Sequence, residues 1–258
     1  MTIISEAQIA QFHREGYFVL ESAMPLTVVA ALREECQRHI DEFDRQMEAR
    51  GVKTDGINHY KRRYFVNDRG MTSPVLRAFL LGDLMADVVK ATLGDTAFLF
   101  NEQFVIKAAD GGNPFAWHQD SGYIPYYHKP YLTCWCALDD MSIANGTIYV
   151  LPYSRDGREH KDLVPEHTVQ EGTNDRVGYH GDDPGVPVIV PEGSIVVFSS
   201  RLFHRSGANT TDRMRRSYVA QYSREPIMNK EGTAYRHTAV PFIANGQRAS
   251  DYVEQTDM

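Results

Sequence analysis

The chain has 258 residues, 42% hydrophobic and 24% charged, with 27 Lys and Arg against 34 Asp and Glu, giving a formal net charge of −7. These proportions exclude a disordered or low-complexity chain, and the acidic balance, with no basic run beyond Lys61-Arg62-Arg63, excludes the electrostatic footprint of a nucleic-acid binder. Three cysteines without C-x-x-C spacing encode neither a disulfide framework nor a zinc site, and no apolar run reaches the about eighteen residues of a membrane span.

The opening MTIISEAQ lacks a basic stretch followed by an apolar one. A cytoplasmic protein acting on a small molecule, with neither nucleic acid nor membrane as partner, is the expectation. In chain order, Ser5 is placed to cap a short amphipathic helix carrying Ile9 and Phe12, and Gly16 to end it. A strand over Tyr17–Leu20 follows. Pro25 then opens a long helix to about Arg50, with Leu26, Val29, Leu32, Cys36, Ile40 and Phe43 on one face. Residues 53–70 read as a polar, basic and aromatic loop. Ser73-Pro74 begins a third helix through Phe79, Leu80, Leu84 and Val88 that stops near Gly94.

Beyond residue 96 the pattern changes to short β-type runs at 97–107, 131–138, 147–151, 186–190, 194–199 and 215–223. Such spacing points to a mainly β jelly roll buttressed by the N-terminal helices. One domain over 1–258 is expected, divided into a helical buttress with the first strand (1–95), a jelly-roll core (96–225) and a C-terminal extension (226–258). The unpatterned stretches 53–70 and 154–192 are candidate covers for a pocket.

Metal chemistry needs side chains that converge, and in a strand residues i and i+2 share a face, so an extended His-x-Asp is a chelate. The motif occurs four times, against about one by chance, so context must choose. His39-Ile40-Asp41 lies on the long helix, where a separation of two points opposite ways, and reads as a solvated pair. His160-Lys161-Asp162 and His180-Gly181-Asp182 fall in the polar stretch and read as surface loop. His118-Gln119-Asp120 follows a Gly111-Gly112-Asn113-Pro114 turn and is flanked by Phe115, Trp117 and Tyr123, where apolar walls and ligands meet. His204, at the end of the apolar run 194–198, is the candidate third ligand. Two His and one carboxylate suit Fe(II) with open positions for chemistry, and buried structural histidines are the alternative.

Eleven residues beyond His204, Arg215 and Ser217 lie in one row with Val219 and Gln221 and are disposed to bind a carboxylate, whereas Arg213 and Arg216 point away. Tyr123, Tyr126, Tyr127 and Tyr131 are candidates to line a substrate pocket, even one for a cationic group, with core or rim packing as the other reading.

These residues resemble the phytanoyl-CoA dioxygenase family of iron(II)- and 2-oxoglutarate-dependent oxygenases. The resemblance is carried by Trp117-His118-Gln119-Asp120, Trp135, Asn145-Gly146 with Val150-Leu151-Pro152, Gly193-Ser194, and His204-x-Ser206-Gly207-x-Asn209 with Arg215 beyond. It implies a double-stranded β-helix of the cupin-like type, with His118, Asp120 and His204 holding Fe(II) and Arg215 pairing the distal carboxylate of 2-oxoglutarate. It also implies co-substrate positions at Ser206, Trp135 and Gln103, and a further basic contact somewhere in Lys61-Arg62-Arg63. With Asp120 present, the resemblance implies hydroxylation or another oxidation by dioxygen, with release of succinate and carbon dioxide, rather than halogenation. No basic cluster suits a CoA phosphate, so phytanoyl-CoA is not the expected substrate. Two other readings stay open here: a cupin-like metal hydrolase or isomerase, and a jelly-roll binding protein without catalysis.

Overall fold

The structure, a computed structural model, describes residues 4–109, 111–155, 164, 166–171 and 175–249. Helix α1 (Glu6–Glu15) is closed at its start by a reciprocal capping box between Ser5 and Gln8 and at its end by Gly16 at φ 84°. Strand β1 (Tyr17–Leu20) leads into α2 (Leu26–Arg50). The expected loop at 53–70 instead contains strands β2 (Thr54–Asp55), β3 (Asn58–His59) and β4 (Arg63–Asn67). β4 pairs along its whole length with β5 (Ala97–Lys107), from Arg63 opposite Lys107 to Asn67 opposite Gln103. Its short run hides the pattern because an arginine is buried in it, and the partner carboxylate, Asp175, lies 112 residues away.

The third helix is two. α3 (Pro74–Leu80) and α4 (Asp83–Leu93) are separated at Leu81-Gly82, where Gly82 is extended (φ −78°, ψ 172°) and a Cβ would lie 2.6 Å from the Ala78 carbonyl oxygen. The apolar spacing of Phe79, Leu80, Leu84 and Val88 runs through the break, so periodicity alone does not reveal it.

The remaining strands are β6 (Phe115–His118), β7 (Leu132–Ala137), β8 (Ile148–Leu151), β9 (Thr168–Val169), β10 (Arg176–Val177), β11 (Val186–Pro187), β12 (Ile195–Ser199), β13 (Phe203–Ser206), β14 (Arg215–Ser223), β15 (Val240–Ala244) and β16 (Gln247–Arg248). The large sheet runs β1-β12-β7-β14-β5-β4-β3-β2, with β15 also on β5; the small sheet runs β11-β8-β13-β6. This is the expected double-stranded β-helix. β1 and β4 from the N-terminal part and β15 from the C-terminal part join the large sheet. His204 does not end the run 194–198 but belongs to its own strand, β13, beyond a turn closed by Leu202 N–H donating to Ser199 O.

Alternation along β7 and β14 divides the core. Cys134, Cys136, Tyr218, Ala220 and Tyr222 face the helices, packing with Val29, Leu32, Cys36 and Val88. Trp135, Ala137 and Val219 face the small sheet, meeting Ile148 and Val150. Each large aliphatic side chain buried in this way contributes roughly 1.5–3 kcal/mol.

The reading of His39 as solvated is corrected: it is 3% exposed, next to Cys36 and Ile40 on the packed face of α2, with its ring against Phe104. His180 and Asp182 are exposed, as a surface loop requires, and His160-Lys161-Asp162 lies outside the described residues.

Burial holds the imidazoles of His39, His59 and His128 below their ordinary pKa. The unfolded chain therefore binds more protons than the folded one as pH falls below about 6.5. Stability falls with acidification from there, and urea midpoints at pH 7.5 and 5.5 will show a smaller drop for His39→Gln than for the unsubstituted protein. An equal drop would remove His39 as a source of acid sensitivity.

Candidate active site

The end of β6 and the middle of β13 run antiparallel with His118 directly opposite His204, and the two rings lie 4.1 Å apart. Each Nδ1 lies near a backbone carbonyl two residues earlier, His118 on Ala116 at 2.8 Å and His204 on Leu202 at 3.1 Å. Donation from Nδ1 to those carbonyls fixes both rings and leaves each Nε2 with a free lone pair. Asp120, at the start of a 3-10 turn (Asp120–Tyr123), brings Oδ1 to 3.9 Å from His118 Nε2 and 3.6 Å from His204 Nε2.

The other oxygen of Asp120 accepts from Thr133 Oγ1 at 2.6 Å and Gln221 Nε2 at 3.0 Å. One carboxylate oxygen is thus anchored to the large sheet while the other faces the imidazoles. Burial, reinforced by His204, holds the His118 pKa well below its ordinary value, so its ring stays neutral. The three ligand atoms lie within 4.8 Å of one another. Two imidazole nitrogens and one carboxylate oxygen, with a cavity beside them, form a metal-binding triad whose donor set fits Fe(II).

The cavity, of about 230 Å³, opens between the two sheets. Arg215 enters it from β14, 1% exposed, with Nη1 donating to Val105 O and Ser217 Oγ and Nη2 to Gly146 O. Its Nε has no partner among the described residues. Burial lowers its pKa to about 10, which leaves it cationic at neutral pH.

Arg215 stands opposite Lys107, and Lys107 opposite Arg63, so three buried basic side chains form one row across β14, β5 and β4. Arg63 is answered by Asp175 at 3.0 Å, whereas Lys107 Nζ donates to Gly207 O. Burial, then Arg215 and Arg63, push the Lys107 pKa well below its usual value. Like charges opposite one another in a sheet oppose pairing. With an orphaned guanidinium nitrogen in the same row, this end of the cavity suits an anionic carboxylate.

Ser206, Trp135 and Gln103 also line the cavity, as does Tyr123, whose ring meets His118 edge-on at 5.7 Å. Two expectations need correction. Ser217 is not among the cavity-lining residues: its hydroxyl accepts from Arg215 and donates to Val105 O, so it holds the arginine instead. Tyr127 is 87% exposed and lies outside the cavity, because buried Ile124 and the Tyr126 bond to Met228 O turn the intervening chain outward.

Of the Lys61-Arg62-Arg63 run only Arg63 faces the cavity. Ile57, Phe65 and Asn67 join it there, while no described residue of 154–192 does so. The sequence reading missed Lys107, Thr133, Asn101, Arg236 and His237. Thr133 had a signal, since it shares a strand face with Trp135. The C-terminal pair had none, because its place depends on Thr238 bonding back to Leu99 and Phe100.

A double-stranded β-helix carrying a His-Asp-His triad beside a buried arginine defines the class of iron(II)- and 2-oxoglutarate-dependent oxygenases. The sequence profile of the phytanoyl-CoA dioxygenase (PhyH) family matches residues 12–217. The chain belongs to the phytanoyl-CoA dioxygenase family. It is 25% identical to a probable phytanoyl-CoA dioxygenase of Caenorhabditis elegans, over 94% of this chain and 83% of that one. It is 29% identical to a 2-aminoethylphosphonate dioxygenase of uncultured bacterium HF130_AEPn_1, over 58% of this chain and 54% of that one. Among solved structures, EctD of S. alaskensis with 2-oxoglutarate and 5-hydroxyectoine shares the fold at a TM-score of 0.69 and 21% identity, covering 96% of this chain and 89% of that one.

Replacing Gln221 by Leu removes one of the two donors that hold the second oxygen of Asp120, and the expected result is a loss of about tenfold in Fe(II) affinity. Anaerobic titration calorimetry checks it. Unchanged affinity would show that Thr133 alone is enough to orient the carboxylate.

Proposed function

We propose that this protein oxidises a small organic molecule, most simply by hydroxylation, using Fe(II), dioxygen and 2-oxoglutarate, and releases succinate and carbon dioxide. The observation that carries this reading is Arg215: a buried guanidinium with an unpaired Nε, in the same cavity as the triad. A metal hydrolase or isomerase on this fold has no use for such a group.

His118, Asp120 and His204 would hold the iron through each Nε2 and one Asp120 oxygen, with Asp120 oriented by Thr133 and Gln221. Iron with a bound 2-keto acid supplies oxidising power from dioxygen, which the protein directs by position and by excluding water. Arg215 would pair the distal carboxylate of 2-oxoglutarate, held for that task by Ser217, Val105 and Gly146. Ser206, Trp135 and Gln103 would complete the co-substrate end, and Tyr123 would border the substrate beside His118. In this reading the chain acts as one domain, with the helices of 1–95 buttressing the sheet.

Among the described residues no helix is long and apolar enough to cross a membrane. Three free, buried cysteines support a reducing compartment such as the cytoplasm, and the net charge of −7 supports a reaction without nucleic acid or membrane.

Anaerobic addition of Fe(II) and then 2-oxoglutarate should produce the visible charge-transfer band of a chelated keto acid. His204→Ala should abolish it. Arg215→Met should raise the 2-oxoglutarate dissociation constant by about tenfold or more, matching the roughly 1.5–3 kcal/mol of a charge-assisted hydrogen bond. A band of undiminished affinity in Arg215→Met would overturn the co-substrate assignment.

A further inference from the structure

The charges around the cavity are unevenly matched. Five basic side chains line it, Arg63, Lys107, Arg205, Arg215 and Arg236, and the single carboxylate among the described lining residues is Asp120, already committed to the triad. Most of these have a defined task. Arg63 is paired with Asp175, and Lys107 is held on Gly207 O. Arg205 stacks on Tyr149 at 3.8 Å and donates to Pro184 O. Arg215 serves the co-substrate end.

Arg236 differs from all of these. Its one side-chain hydrogen bond among the described residues is a long one, 3.5 Å from Nη2 to Tyr123 O. Its backbone is nonetheless well fixed: its N–H donates to Ile227 O, and two residues on Thr238 is tied to Leu99 and Phe100 of β5. His237 packs edge-on to Phe100 at 5.2 Å. A fixed backbone thus presents an under-used guanidinium at the solvent mouth of the cavity, and the Tyr123 it touches reaches His118. Beside Arg236 the cavity wall is apolar and aromatic, with Phe100, Ile124 and Tyr131 packed together and Phe100 against His237.

We propose that the substrate is a small organic anion, a carboxylate, phosphonate or sulfonate on an apolar or aromatic body, with Arg236 as its charge partner at the mouth of the cavity. This rests on the oxygenase reading of the same site and sets its substrate class. The aromatic lining by itself would also suit a cationic group, but an amine here would find no carboxylate among the described lining residues other than Asp120, which is committed to the triad, and would meet Arg236 at the mouth. An anion forms charge-assisted hydrogen bonds to Arg236, about twice as strong as neutral ones. Its apolar body then extends past Tyr123 toward the triad.

The test uses phenylacetate, phenylacetamide and phenethylamine as probes. Each is titrated anaerobically into the Fe(II)- and 2-oxoglutarate-loaded protein while the charge-transfer band is followed, and separately by calorimetry into metal-free protein with 2-oxoglutarate. The expected result is that phenylacetate binds about tenfold more tightly than the amide, with the amine weakest, and shifts the band without bleaching it. Arg236→Gln should remove most of that preference and Arg236→Lys should keep it. The proposal is overturned if the amide or amine binds as tightly as phenylacetate, if the preference survives in Arg236→Gln, if phenylacetate displaces 2-oxoglutarate and bleaches the band, or if it does not bind by either method. Should the band never form, the oxygenase reading fails on its own, and calorimetry on the metal-free protein still decides the anion preference.

Discussion

The site depends on one constraint, the antiparallel pairing that sets His118 against His204 in the small sheet while Asp120 reaches across to the large one. Two histidines on adjacent strands at directly opposed positions have their rings side by side, and carbonyls two residues back fix both rings. Asp120 lies just past the end of β6, and Thr133 of β7 and Gln221 of β14 hold its second oxygen. The triad is therefore a bridge between the sheets. Any slip of one sheet against the other would part the carboxylate from the imidazoles, so the packing of Trp135, Val219 and Phe198 on Ile148 and Val150 also maintains the metal geometry.

A second feature follows from the same alternation. Every second residue of β14 faces inward, which places Arg215, Ser217, Val219 and Gln221 in one row, and cross-strand register adds Lys107 and Arg63 beside Arg215. Three adjacent buried basic side chains oppose folding unless they are answered, and a buried charge stripped of its partner is costly. Asp175 answers one and backbone carbonyls receive the others, and Arg215, with no carboxylate partner among the described residues, leaves a positive field at this end of the cavity. Such a field attracts a dianionic co-substrate before any contact forms. It also sets the electrostatic terms on which a second ligand enters.

The helices serve this arrangement from the other face. α2 presents Val29, Leu32, Cys36, His39 and Ile40 to the large sheet, where Tyr218 and Tyr222 alternate with the inward row. The hydroxyl of Tyr218 donates to Glu102, whose other oxygen receives the N–H groups of Arg69 and Gly70. That bond ties the approach to α3 onto β5, the strand that carries Gln103 and Lys107.

Much of this was legible in the sequence, because local rules govern it. Capping at Ser5 and Gly16, the stripe of α2, the strands over 97–107 and 215–223, and the choice of His118-x-Asp120 over three similar motifs all follow from periodicity, turn chemistry and neighbours along the chain. What it hid depends on contacts between distant segments. The break at Gly82 lies inside an unbroken apolar spacing, β4 is stabilised by β5 and by a carboxylate 112 residues away, and His39 is buried by a sheet that the helix pattern does not mention. Tyr127 and Ser217 were misplaced for the same reason: whether a side chain enters a cavity is decided by the direction of the chain at that point, not by its proximity in sequence to a motif. In the sequence, period-two alternation and residue chemistry brought forward a mainly β fold with His118, Asp120, His204 and Arg215 as candidates, and the family resemblance supplied the double-stranded β-helix and the roles of those residues. Only the tertiary structure decided that Arg63, Lys107 and Arg236 share their cavity, because cross-strand register and chain return are properties of three dimensions.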